Sequence, residues 1–294
     1  MRPVQPPRAD THKPKLKAPP GACDTHLHVF GPPERYPLSP DRGYNPDPRS
    51  TIDDYLNVHR ALGLERAVIV TGSANGTNNQ VTRDAVACKN GSFKALALLD
   101  PGISDKELVS LKENNFTGFR IKENGRGGLS FPNTAKMVQR VGGFQWHVEF
   151  MAESLPAILR ALHFLRALKM PYVFDHVAYV TPRMSEANPD FRELRRVLRC
   201  EEDAWVNLYS FYQESETGPP GYADMVPIVQ AIIEARPDRV VWGSNWPHAG
   251  ISVAMPNDGD LLDFLLAVAP DDKTRRQILT DNPAKLYGWA GDRV

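Results

Sequence analysis

Cysteine is scarce in this 294-residue chain: Cys23, Cys88 and Cys200 stand far apart and form no CxxC pair. An odd number at such spacing supports neither a disulfide framework nor a zinc knuckle, so all three are expected to be reduced and buried. Charge of one sign is also missing, because 35 basic and 35 acidic residues cancel to a formal net charge of zero. Sequence-independent nucleic-acid binding needs a basic footprint, and none is present, which excludes DNA or RNA as the expected partner. No run approaches the ~20 apolar residues that span a bilayer. The amino-terminal stretch MRPVQPPRADTHKPKLKAPP has no apolar core of the kind a signal peptide carries. No membrane partner is expected, and the chain reads as cytoplasmic. Nothing in the sequence specifies an oligomeric state.

What is present is regular. Residues 1–20, rich in Pro and Lys and without apolar periodicity, form an irregular leader on which little chemistry should depend. From Gly21 to the end, short apolar or β-branched runs alternate with amphipathic stretches of helical length, the pattern of parallel βαβ units. The expected strands are Ala22–Phe30, Arg66–Thr71, Phe93–Leu99, Gly118–Lys122, Phe144–Met151, Tyr172–His176, Ala204–Ser210 and Arg239–Gly243. Expected helices include Ile52–Leu62, Asp105–Asn114, Leu155–Leu168, Phe191–Arg199, Met225–Ala235, Leu261–Ala269 and one near Lys273–Leu279. Thr51, Ser104 and Ser154 stand where N-caps belong. Eight such repeats over residues 21–294 fit one (β/α)8 TIM barrel better than an open doubly wound sheet.

Barrels of this kind carry their chemistry at the carboxyl ends of the strands. The first strand ends in Asp24-Thr25-His26-Leu27-His28, and residues i and i+2 of a strand share a face, so His26 and His28 should project together into the mouth. The sixth strand ends in Asp175-His176 and the eighth in Gly243-Ser244-Asn245-Trp246-Pro247-His248. Each motif alone has a bland reading as a packed histidine or a rigid turn. Three of them at the strand ends of one barrel argue for a site. Of the remaining histidines, His59 and His163 fall within helices where exposure is expected, and His147 is a supporting group on strand five.

The motifs HLHVFGP, DH, GSNWPH and NPAKLYGW together resemble the amidohydrolase superfamily, and most of all its 2-pyrone-4,6-dicarboxylate lactonase group, over nearly the whole chain from Pro20. The resemblance implies a (β/α)8 fold and hydrolysis of a lactone or similar ester, often without a metal. In the family pattern strand eight ends G-[ST]-D-W-P-H, the Asp acting as general base, whereas this chain has Asn245. An amide oxygen lacks comparable basicity, so Asn245 suggests an inactivated form of the site, in which an aspartate would create or restore turnover. The alternative is a natural homologue with altered chemistry. A binuclear metal site finds no clean ligand set among Arg120, Lys122, Glu123, His147 and Glu149. A fixed charge on Arg120 opposes a divalent cation and suits an anionic substrate. No cofactor is expected, the alternative being one zinc or manganese ion on His26, His28 and His176.

The resemblance also implies a substrate pocket. Arg120 and Arg126 match arginines that hold substrate carboxylates, and Tyr44 and Ser73 match further hydrogen-bonding groups. Gln213 stands where the pyrone lactonases have another arginine, and Met151 where they have a tyrosine, which weakens one carboxylate clamp. His248 either orients Asn245 or touches substrate. The expected function is hydrolysis of a small anionic lactone of the pyrone-dicarboxylate or sugar-acid type, with His26, His28 and His176 polarising the carbonyl. A lactone isomerase, a metal-dependent hydrolase or decarboxylase, and a non-catalytic anion-binding pseudoenzyme are the alternatives.

Overall fold

A computed structural model describes residues 4–89, 91–122 and 129–289. Eight parallel strands follow one another in chain order around a barrel: β1 (Cys23–Leu27), β2 (Arg66–Val70), β3 (Phe93–Ala97), β4 (Phe116–Lys122), β5 (His147–Met151), β6 (Tyr172–Phe174), β7 (Ala204–Leu208) and β8 (Val240–Trp242). Between and after them run α1 (Ile52–Leu62), α2 (Gln80–Ala87), α3 (Asp105–Glu113), α4 (Phe131–Val141), α5 (Leu155–Ala167), α6 (Pro189–Cys200), α7 (Phe211–Glu214), α8 (Val226–Ala235), α9 (Asp258–Val268), α10 (Asp272–Arg276) and α11 (Asn282–Tyr287). The expected (β/α)8 barrel is therefore the observed fold. No helix among the described residues is long and apolar enough to cross a membrane.

Local signals explain where the helices begin. Thr51 and Ser104 each accept a bond from the backbone three residues on and are answered by Asp54 and Glu107, completing two capping boxes, while Ser154 caps α5. Several strands are shorter than expected. β5 starts at His147 because Gln145 turns left-handed at φ 56°, and β6 stops at Phe174 because four residues from His176 to Tyr179 all have positive φ. The last expected helix divides into α10 and a π-turn over Gln277–Asp281 that runs into α11.

Burial follows the strand period. The larger apolar core lies between the sheet and the surrounding helices, while Cys23, Val68, Val70, Leu96, Val173, Trp205 and Val241 form a second cluster closed by Leu286, Tyr287 and Trp289. The β4/β5 register pairs Gly118 with His147, Arg120 with Glu149 and Lys122 with Met151, so the charged side chains lie toward the carboxyl end. Two expectations are corrected here. Cys88 and Cys200 are exposed, only Cys23 being buried. His59 is buried between the rings of Tyr55 and Phe93, because α1 turns that face onto the sheet. The irregular leader is tied to the barrel at two points: the Leu16 N–H donates to Asp263 at 2.8 Å, and Asn257 donates to the Asp10 carbonyl at 3.0 Å.

Side chains help to close the barrel between β1 and β8. Asp24, wholly buried, accepts bonds from the His26 N–H (3.1 Å), the Ser244 N–H (2.9 Å), the Ser244 hydroxyl (2.6 Å) and the Tyr55 hydroxyl (3.0 Å). Burial lifts its pKa to about 6 against the pull of these four donors, so it is ionised at neutral pH. Thr25 adds a bond to the Trp242 carbonyl at 2.9 Å. Gly243 permits the close approach: a Cβ there would lie 2.6 Å from that of His26. Asp24→Asn keeps the volume but sets an NH2 group against these donors, and we expect a loss of about 3 kcal/mol in urea-unfolding stability at pH 7.5. A loss below about 1 kcal/mol would show that the carboxylate does not hold the seam.

Candidate active site

The seam places the first and eighth strand ends side by side. The Asn245 N–H donates to the His26 carbonyl at 2.8 Å and the His28 N–H to the Trp246 carbonyl at 2.7 Å. The His26 and His28 rings meet edge to face with centroids 4.9 Å apart. Tyr209 stacks on His26 at 3.9 Å and meets His176 edge-on at 4.9 Å. His26, His28, His176 and Asn245 thus share one mouth.

A buried ionic cluster lies beneath them. Arg120 donates through Nε (3.0 Å) and Nη2 (2.6 Å) to Asp175 and through Nη2 to the Tyr209 hydroxyl (2.9 Å), and its Nε is 3.3 Å from Glu149. His26 Nδ1 is 3.0 Å from the same Glu149 oxygen. Burial works against the charge on Arg120, but Asp175, Tyr209 and Glu149 outweigh it and hold the guanidinium charged. Burial raises the pKa of both carboxyl groups, and Glu149 raises that of Asp175 further. Two carboxylates facing one guanidinium in a dry site leave an excess negative charge, which a shared proton removes.

The histidines are neutral. Burial holds His26 well below its ordinary value, with Arg120 adding to the effect, and burial then His26 and Arg120 do the same to His28. Burial pushes His176 down to about 3. His28 Nδ1 lies 2.8 Å from the Val70 carbonyl, so Nδ1 carries the proton and Nε2 is an acceptor. Lys122, one strand repeat above Arg120, has no hydrogen-bonding or ion-pair partner among the described residues. Its pKa falls to about 8 through burial and then through Arg120.

The remaining expected residues divide. Tyr44 and Ser73 come within hydrogen-bonding reach of each other, near enough to Arg120 for its charge to act on Tyr44. Met151 is half-buried beside Lys122, and Gln213 sits half-buried in α7. Arg126 lies outside the described residues. His248 is buried behind Asn245: its Nδ1 lies 2.8 Å from the Tyr212 hydroxyl and its Nε2 3.0 Å from Asp258. Arg120, expected to face substrate, is occupied by the protein's own carboxylates.

Sequence reasoning missed Tyr209 and Asp258 as members of the site; Asp175 entered only beside His176, and Lys122 and Glu149 only in a ligand set that was set aside. The i+2 spacing of Arg120 and Lys122, and that of His147 and Glu149, was the available signal.

A cluster of titratable groups at the carboxyl rim of a parallel barrel defines the class of (β/α)8 enzymes whose chemistry is held by strand ends. The chain belongs to the amidohydrolase family, whose profile matches residues 23–289. It is 38% identical over 275 residues to the 4-sulfomuconolactone hydrolase of Hydrogenophaga intermedia, covering 92% of this chain and 89% of that one. Its identity to the 2-pyrone-4,6-dicarboxylate hydrolase of Comamonas testosteroni is 33% over 291 residues, with 95% and 94% covered. Among solved structures, an apo protein of Agrobacterium tumefaciens superposes with a TM-score of 0.83 at 27% identity, covering 94% of this chain and 99% of that one.

Removing the guanidinium would leave buried carboxylates uncompensated. Arg120→Met should therefore cost about 3–5 kcal/mol of folding stability, measured by chemical denaturation. Unchanged stability would mean that the cluster does not depend on its cation.

Proposed function

We propose that this protein hydrolyses a small lactone bearing a carboxylate or sulfonate group, in the cytoplasmic breakdown of aromatic or sugar acids. The observation that carries the reading is the ammonium of Lys122, half-buried, without a partner among the described residues, and two residues along the strand from a guanidinium already neutralised from within. Among the described residues, Lys122 is the cation left without a partner for an anion entering the mouth, and desolvation around it strengthens that attraction. The resemblance to two lactone hydrolases supplies the ring to be opened.

In this reading the anionic group binds Lys122 and the lactone carbonyl lies toward His176. Asn245 spends both amide hydrogens on Ser210 (2.9 Å) and Tyr212 (3.0 Å), so its oxygen faces the mouth and orients a water. His28 presents a lone pair and not a proton, which removes it from the groups able to polarise the carbonyl.

The residues present do not fit a metal. Among the described residues, the group whose ligand atoms all lie within 4.8 Å of one another is His26, Glu149 and Asp175, which includes neither His28 nor His176. That group already holds a guanidinium 2.6 Å from Asp175, so a divalent ion would stand against a fixed positive charge. We expect less than about 0.1 equivalent of zinc or manganese by elemental analysis and full turnover after chelation. Stoichiometric metal lost together with activity would overturn this part.

Product analysis tests the reaction: a ring-opened hydroxy or keto acid supports hydrolysis, whereas an isomeric lactone shows that an internal hydroxyl replaced water. Lys122→Met should raise KM for an anionic lactone at least about tenfold and leave a neutral lactone of the same ring unaffected. The sign with pH follows from the lowered pKa: the ammonium is charged at pH 7 and neutral above about 8. KM for the anionic lactone should therefore rise above pH 8 while that for the neutral one stays flat, and a flat profile for both would remove Lys122 from recognition.

A further inference from the structure

Hydrolysis needs a proton acceptor, and Asn245 cannot be one. His28 has a free lone pair, but it sits among the positive charges of Arg120 and Lys122 with only a backbone carbonyl behind it, so its protonated form is poorly supported. Against the amide of Asn245 lies a different arrangement. Asp258, His248 and Tyr212 are all buried and joined in series, with Asp258 Oδ1 to His248 Nε2 at 3.0 Å and His248 Nδ1 to the Tyr212 hydroxyl at 2.8 Å. Tyr212 is in turn 3.0 Å from Asn245 Nδ2, which is also held by Ser210.

One set of protons satisfies every contact. Asn245 donates both amide hydrogens, Tyr212 accepts one of them and gives its own hydroxyl hydrogen to His248 Nδ1, and His248 Nε2–H donates to Asp258. A carboxylate behind an imidazole behind a hydroxyl is the order in which serine hydrolases remove a proton, the carboxylate fixing the tautomer and stabilising the imidazolium. Backbone geometry reinforces the arrangement: Ser210, Asn245 and His248 all have φ near +60°, a conformation that is strained for a non-glycine residue and is kept where surrounding structure demands it.

We propose that Asp258, His248 and Tyr212 form the proton relay that replaces a carboxylate base at position 245. This rests on the lactone-hydrolase reading above. The water held by Asn245 passes a proton to the Tyr212 oxygen as Tyr212 passes its own to His248 Nδ1. The water oxygen forms a bond to the lactone carbonyl carbon, and the carbonyl π electrons move to its oxygen. When the tetrahedral intermediate collapses, the ring C–O bond breaks and the leaving oxygen takes the proton back through Tyr212, restoring neutral His248. Tyr212 is the catalytic residue, and His248 and Asp258 are positioning residues that act through it. The transfer is concerted, so no free phenolate forms.

The test is a rescue. In the wild type, Tyr212→Phe and Asp258→Asn should each lower kcat on an anionic lactone by ~10²-fold or more with KM little changed, circular dichroism confirming the fold. In an Asn245→Asp background the aspartate takes the proton directly. Adding Tyr212→Phe there should then cost less than about tenfold, which a role for Tyr212 in holding the fold at large would not permit. If either single variant fails to fold, the other carries the comparison. The relay is overturned if Tyr212→Phe stays within about threefold of wild type, if Asn245→Asp is active but does not spare the Tyr212→Phe loss, or if only the Asn245→Asp form turns over. Absence of turnover in both the wild type and Asn245→Asp across carboxylated and sulfonated lactones would instead overturn the lactone reading, and the relay with it.

Discussion

The seam between the first and last strands is the constraint on which the rest of the molecule depends. A barrel of eight parallel strands buries no free edge only if β8 returns to β1, and here Asp24 makes that return with its two oxygens. Because the same carboxylate binds the His26 N–H and the Ser244 N–H, the two motifs flanking it, HLH and SNWPH, are held in register with each other. The fold's closure and the site's assembly are one set of bonds. A buried carboxylate is costly, and this one is tolerated because four donors meet it.

Below the mouth the electrostatics separate two cations that the sequence presents as neighbours. Arg120 and Lys122 lie two residues apart on one strand face, yet Arg120 meets Asp175, Glu149 and Tyr209 while Lys122 meets none of them. The planar guanidinium suits the inner position, where two carboxylates converge on its edges. The flexible ammonium suits the outer one, where a ligand group can reach it. The neutral histidines of the same mouth add hydrogen-bonding capacity without adding charge that would compete for an anion.

The rim is also where the backbone departs from ease. Non-glycine residues with positive φ gather at His176–Tyr179, Ser210, Asn245 and His248, and β-branched Val177 is among them at φ 47°. These conformations turn the chain sharply as it leaves strands six, seven and eight. They aim His176 and Asn245 at the mouth and turn His248 away from it, toward Tyr212 and Asp258.

By itself the sequence determined the repeat: alternating apolar runs and amphipathic stretches fixed eight strand–helix units, and with them the barrel and the end of it that bears chemistry. It also marked the HLH, DH and SNWPH motifs, since strand periodicity and strand order suffice to place them on one rim. The strand ends were misjudged where left-handed residues cut them short, because φ at Gln145 and at His176–Tyr179 reflects tertiary demand and not residue preference. Only the tertiary structure decided the partners. Asp175 and Glu149, distant in sequence from Arg120, occupy it and leave Lys122 open, and Asp258 and Tyr212 reach His248 from other elements. A local pattern records which face a side chain takes; which opposite charge reaches it first depends on distances across the barrel that exist only once the seam has closed.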